Sequence, residues 1–258
     1  MRKIGLKLWN INVDFYPKEA QKLFYDEIFD YIELYIVPNN LDKIKVWKKL
    51  NIPIDIHAPH YAHKLNLSKK ESYDLNYKKY LEAKRYADEL DSQIIVFHGG
   101  AGGSYKETAE QLSKFCDNRI IIENKPYDTL DFVNENYYVG ASFEEITYIM
   151  ENAKCGFCLD VGHAICAANS FGINPYEYIE RFCTLNPLRI HLSDININTK
   201  KDMHLNYGCG NINFKTLFNI LPNCPITIET NKKTKFGLED FRQDAIFLKK
   251  FSMCQDKL

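Results

Sequence analysis

Nothing in the 258-residue sequence approaches the roughly 18 consecutive apolar residues that a membrane-crossing helix needs, so no membrane partner is expected. An excess of charge is missing too: 33 Lys and Arg stand against 34 Asp and Glu, a net charge of −1 at pH 7. That balance excludes a globally basic nucleic-acid binder, although a local basic face remains open. Glycine is sparse, at 12 residues, and no Gly-x-Gly-x-x-Gly follows the first strand-like run, which argues against an open dinucleotide-binding sheet. Proline-rich linkers, low-complexity stretches and composition shifts are absent, so no domain boundary is expected between residues 1 and 258. Eight cysteines are present, but Cys155 and Cys158 have no matching second pair and sit inside an apolar run. Packed core thiols are expected there, not a zinc finger or redox pair. Lys7 breaks the short apolar run of MRKIGLKLWNINV, which therefore reads as a first strand and not a leader. With reduced thiols, that places the expected compartment in the cytoplasm, with no obligate protein partner.

What is present is alternation. Strand-like runs occur at 3–9, 31–37, 52–57, 93–98, 119–123, 155–160, 188–192 and 225–229. Their near-continuous apolar character suits strands covered on both faces. Amphipathic helix-like segments fall at 18–29, 41–50, 72–90, 106–115, 142–153, 175–183, 214–221 and 238–251. Eight strand–helix units of this size predict an α/β fold, a single closed (β/α)8 barrel over the whole chain.

The strand ends carry the chemistry. Runs three to eight end in, or nearly in, His57, His98, Glu123, Asp160, His191 and Glu229; His163 follows Asp160 by three residues, and Asp202 and His204 follow run seven. In such a barrel these ends converge on one mouth. One strand-end histidine or carboxylate is ordinary, and a lone Asp there usually caps the next helix. Six in succession are not, because carboxylates buried together without cations repel. Mixed imidazole and carboxylate donors suit zinc, manganese or iron better than calcium or magnesium. Nine donors exceed one four-coordinate ion, so two or three ions sharing a carboxylate are expected.

The segments HAPHYAHKLNL (57–67), VFHGG (96–100), IIIENKP (120–126), CLDVGHA (158–164), RIHLSDIN (189–196), DMHLNYGCGNINF (202–214) and ITIET (226–230) resemble the successive signatures of endonuclease IV. That family of xylose isomerase-like TIM barrels cleaves DNA at abasic sites. The resemblance implies up to three zinc ions, with manganese or iron as alternatives. It puts His57 and His98 on one ion, with Glu123 bridging to a second that adds Asp160, His191 and Glu229. His163, Asp202 and His204 would hold a third. Bound cations lower the pKa of water to about 7, which supplies a nucleophile for phosphodiester hydrolysis. Glu123, Asp160 and Glu229 are then the catalytic carboxylates. Tyr61 and Asn66 correspond to the family's Tyr and Asn and are implied as substrate contacts, although His60 and His63 make this loop different. Lys125, Lys200, Lys201, Lys232, Lys233 and Lys235 are the lysines expected near the mouth to meet phosphate, the last five as substrate contacts. The loops at 9–17 and 37–40 lack the segments with which the family grips bent DNA. A phosphorylated small molecule is therefore the alternative partner to damaged DNA. The competing reading is a sugar or sugar-phosphate isomerase or epimerase holding one divalent ion on Glu123, Asp160, His191 and Glu229.

Overall fold

A computed structural model describes residues 2–131, 133–233 and 236–252. Eight short parallel strands close into a barrel in chain order. They are β1 (Ile4–Trp9), β2 (Tyr31–Tyr35), β3 (Ile54–His57), β4 (Ile95–His98), β5 (Ile120–Glu123), β6 (Gly156–Asp160), β7 (Arg189–Leu192) and β8 (Ile226–Ile228). Closure is made by β1 on β8, with Ile4 opposite Ile226 and Leu6 opposite Ile228. Around them lie α1 (Tyr16–Tyr25), α2 (Ile44–Trp47), α3 (Tyr73–Glu89), α4 (Tyr105–Phe115), α5 (Phe143–Ala153), α6 (Val161–Phe171), α7 (Pro175–Cys183), α8 (Phe214–Ile220) and α9 (Glu239–Ser252). The (β/α)8 barrel expected from the sequence is present. None of the described helices is long and apolar enough to cross a membrane.

Two elements depart from the sequence reading. The segment at 41–50 forms one 3-10 turn and the four-residue α2, not a full helix. More importantly, α6 starts directly after β6 and was not foreseen. Its residues Val161 to Ala168 are all buried, so it has no polar face and no amphipathic period to read. Its N-cap is Asp160, whose Oδ1 accepts the His163 backbone N–H at 2.7 Å.

The strands also alternate more than their apolar content suggested. Outward residues such as Leu6, Leu8, Ile32, Leu34, Ile56, Phe97, Ile122 and Leu159 join the main core against the helices. The intervening residues form a second, inner set. Val96, Ile121 and Cys158 make a small buried cluster of their own with Ile94. Elsewhere the inner set is polar: the Arg189 guanidinium meets Asp55 Oδ2 at 2.7 Å, and Tyr31 Oη meets Thr227 Oγ1 at 2.9 Å. Gly5 is required among them, because an added Cβ would lie 2.3 Å from the Tyr31 ring.

Candidate metal centre

Each strand-end donor stands two residues above an inner-set residue, and the barrel brings them to one mouth. Glu123 is the hub. Its Oε2 lies 3.3 Å from His57 Nε2, 3.1 Å from His98 Nε2 and 3.1 Å from His191 Nδ1. Its Oε1 lies 3.0 Å from His163 Nδ1, and His191 Nδ1 is 2.9 Å from Glu229 Oε1. Across the mouth, Asp202 Oδ2 is 3.2 Å from His163 Nε2 and 2.7 Å from His204 Nε2.

These separations suit donors that share an ion at bond lengths of about 2.0–2.2 Å. Second contacts fix which nitrogen is free. His57 Nδ1 is 2.8 Å from the Ala58 carbonyl, and His163 Nδ1 is 2.9 Å from the Asn124 carbonyl. Both pairs need a proton on Nδ1, which leaves Nε2 as the nitrogen turned toward the cavity. His191 is turned the other way: Nε2 donates to Glu33 Oε2 at 2.7 Å, leaving Nδ1 for the site. His191 Nδ1, Glu123 Oε1, Asp202 Oδ1 and His204 Nδ1 are buried yet make no hydrogen bond. Buried polar atoms without partners point to a missing ion or water. Bound divalent ions fit these donors.

The groupings of donor atoms within 4.8 Å of one another include His57, His98 and Glu123, and separately His163, Asp202 and His204. Both match the sets that the resemblance implied. The middle set is divided: Glu229 groups with His57, His191 and Glu33, whereas Asp160 groups with Glu123 and His163.

Electrostatics separates the donors further. Burial holds the His57 and His98 imidazoles below their ordinary pKa, and for His98 this outweighs the nearby Glu123. They are neutral lone-pair donors. Burial also disfavours charge on His163, but Asp160 and Asp202 outweigh it and push that ring up to about 10. Asp202 similarly overcomes burial to lift His204 to about 9. Burial raises the Asp160 carboxyl to about 6, helped by Glu123 and Glu229. His204 also adopts φ +47°, an unusual value for a non-glycine residue. Its neighbour Leu205 exchanges two 2.9 Å backbone hydrogen bonds with Asp194, which holds the turn.

Above the donors lies a cavity of about 610 Å³. Trp9, Ile11, Tyr35, Tyr61 and Tyr138 give it an aromatic and apolar wall, and Lys7, Lys125 and Lys232 bring positive charge. Lys125 is buried, with Nζ 3.1 Å from His163 Nε2 and 3.6 Å from Glu123 Oε1. Burial brings the Lys232 ammonium down to about 8, and it sits over the Phe241 ring.

Other sequence candidates fall elsewhere. Asn66 spends its amide on the Ala101 backbone, donating to O and accepting from N at 3.0 Å each, and does not line the cavity. Lys200 and Lys201 are exposed and off the wall, and Lys233 faces a separate hollow beside Asp240. Lys235 lies outside the described residues. His60 lines the cavity, stacked on His98 at 5.3 Å, and His63 Nδ1 meets Tyr35 Oη at 2.7 Å. Lys7 and Glu33 were missed altogether. Their signal is a charged residue at an inward position between apolar outward ones, in KIGLKLW and YIELYIV.

Residues 28–251 match the family described as the xylose isomerase-like TIM barrel. The chain belongs to this family. A probable endonuclease 4 of Mycoplasmoides gallisepticum is 26% identical over 183 residues, which span 64% of this chain and 59% of that protein. Two solved structures share the fold. One, a D-tagatose 3-epimerase-like protein, aligns with a TM-score of 0.72 at 22% identity, covering 99% of this chain and 98% of that one. The other, endonuclease IV from Thermus thermophilus, aligns with a TM-score of 0.67 at 17% identity, covering 96% of this chain and 99% of that one.

Proposed function

We propose that this xylose isomerase-like protein is a metal-dependent phosphodiesterase of the endonuclease IV kind, incising DNA at abasic sites. The observation that carries the reading is the convergence of His57, His98 and His191 on one oxygen of Glu123, with a second histidine–carboxylate set at His163, Asp202 and His204. An isomerase that holds one ion has no evident use for the second set. Bound ions would supply a nucleophilic water at neutral pH and neutralise phosphoryl oxygens. The chain's own groups do the rest. Glu123, with His57, His98 and His191 around one oxygen and His163 beside the other, would be the carboxylate that helps hold the ions. Glu229 and Asp160 present carboxylate oxygens toward the reacting centre. Lys125 and Lys232 attract the phosphate, and Tyr61 closes the wall beside it. Zinc fits the donor set, with manganese or iron as alternatives.

A second reading, sugar or sugar-phosphate epimerisation, is favoured by the cavity itself. Its volume and aromatic wall suit a whole small molecule. The two readings separate in one experiment. The protein, loaded in turn with zinc, manganese and iron, is incubated with an abasic duplex, an intact duplex and a panel of ketoses and their phosphates. Incision confined to the abasic duplex, lost on chelation and in Glu123→Gln, is the expected result. Sugar interconversion with no incision under any metal would replace the nuclease with the epimerase.

A further inference from the structure

We infer that Glu33 and Lys7 are positioning residues of the metal centre. On this assignment Glu33 sets the ring orientation of His191, while Lys7 keeps Glu33 in place and restrains Glu229. The inference rests on the metal reading of the mouth.

Glu33 stands on β2, fully buried, one layer inside the strand-end donors. Its Oε2 accepts from His191 Nε2 at 2.7 Å and from Thr227 Oγ1 at 3.0 Å, and its Oε1 is ion-paired with Lys7 Nζ at 2.8 Å without a hydrogen bond. Lys7 Nζ also contacts Glu229 Oε1, so one ammonium links the carboxylate behind His191 to a carboxylate in front of it. A metal-binding imidazole generally donates its other N–H to a carboxylate, carbonyl or water, which fixes its tautomer and raises its basicity. The partners of His57 and His163 are backbone carbonyls, whose strength is set by the fold. His191 instead rests the nitrogen turned away from the mouth on a charged side chain. Glu33 is itself close enough to His57, His191 and Glu229 to be a ligand. The geometry argues against that role, because Oε2 is taken up by His191 and Thr227, and Oε1 faces the Lys7 ammonium, which stands between Glu33 and Glu229.

Glu33→Gln separates these roles. The glutamine amide oxygen can still accept from His191 but carries no charge. The full chain is loaded with zinc, ions per chain are counted by elemental analysis, affinity is read by chelator competition, and the cobalt(II) form is examined by absorption spectroscopy. The expected result is an unchanged ion count, affinity for the tightest ion lower by about ten- to a hundredfold, and a shifted cobalt spectrum. Affinity within twofold of wild type with an unshifted spectrum would overturn the assignment. Loss of one ion per chain would overturn it differently, by making Glu33 a ligand. If Glu33→Gln does not fold, Glu33→Asp, which keeps the charge and withdraws it from His191, carries the same three readouts. A wild-type chain that takes up no divalent ion removes the metal reading and this inference together, and is recognised without any variant.

Discussion

The inside of the barrel has two unlike halves. On β4, β5 and β6, the donors His98, Glu123 and Asp160 stand above Val96, Ile121 and Cys158, which are apolar and dry. On β3, β7 and β8, His57, His191 and Glu229 stand above Asp55, Arg189 and Thr227, with Lys7, Glu33 and Tyr31 completing a hydrogen-bonded polar set from β1 and β2. A donor can thus be held still in two ways. In the first half, the donor rests on an apolar layer that offers it no polar partner from below. In the second, a buried charge is held by its counter-charge. Packing tolerates small changes in shape, whereas a charge network fails when one partner is removed.

The largest test of this contrast is on stability. Arg189→Leu should leave Asp55 without its counter-charge and cost about 3–5 kcal/mol. Ile121→Val, in the dry half, should cost about 1 kcal/mol. Urea denaturation of the metal-free protein measures both, and equal losses would dissolve the distinction between the halves.

A pH series sharpens the contrast at the level of the donors. His57 and His98 are already neutral at pH 7, so uptake at their grouping should vary little above that pH. His163 and His204 lie above the ordinary histidine value, at about 10 and about 9. Each must release a proton before its lone pair can bind, so the affinity of their ion should climb with pH, roughly tenfold per unit for each proton released, and level off near 9 to 10. The same shift stabilises the metal-free fold below about pH 6.5, and that contribution is lost as pH rises through the folded values. Calorimetry in buffers of different ionisation enthalpy counts the protons. Metal uptake with no proton release at pH 7.5 would contradict the protonated state of His163 and His204.

The smallest effects concern the lysines. Lys125→Met and Lys232→Met should each weaken binding of an abasic duplex by about ten- to a hundredfold, the scale of a hydrogen bond to a charged group. Each should also flatten the log–log salt slope by about one. Lys200→Ala and Lys201→Ala should change binding less than twofold. A larger loss at the exposed pair than at the inward pair would reverse this ranking.

The dry half was legible in the sequence because its strands end in a donor after an unbroken apolar run, as in RIIIE and QIIVFH. Six candidate donors were legible as the ends of successive strand-like runs, and His163, Asp202 and His204 through their places after the sixth and seventh runs. Lys7 and Glu33 were not, because a charge inside a strand reads as a break in an apolar run until the strand's inward face is known. Asn66 was read as a substrate contact through the resemblance; its amide instead ties two loops together, and nothing in its local sequence distinguishes the two uses. The helix α6 was hidden by its uniform burial.

The turn at Asp194 has a consequence for how such barrels diversify. The Asp194 carboxylate gathers the backbone N–H groups of Ile195, Gly208 and Gly210, and its backbone pairs with Leu205. Both feet of the excursion from 195 to 204 are therefore clamped at one point. Asn169 steadies its crest through the Ile197 and Thr199 carbonyls. A clamped base makes the crest at 196–200 a graftable cassette: residues spliced in there leave Asp202 and His204 on the descending limb, next to the foot at Leu205. A longer insert at this crest, chosen to grip a bulky polymer or trimmed to admit a small sugar, would retarget the mouth without rebuilding the chemistry beneath it.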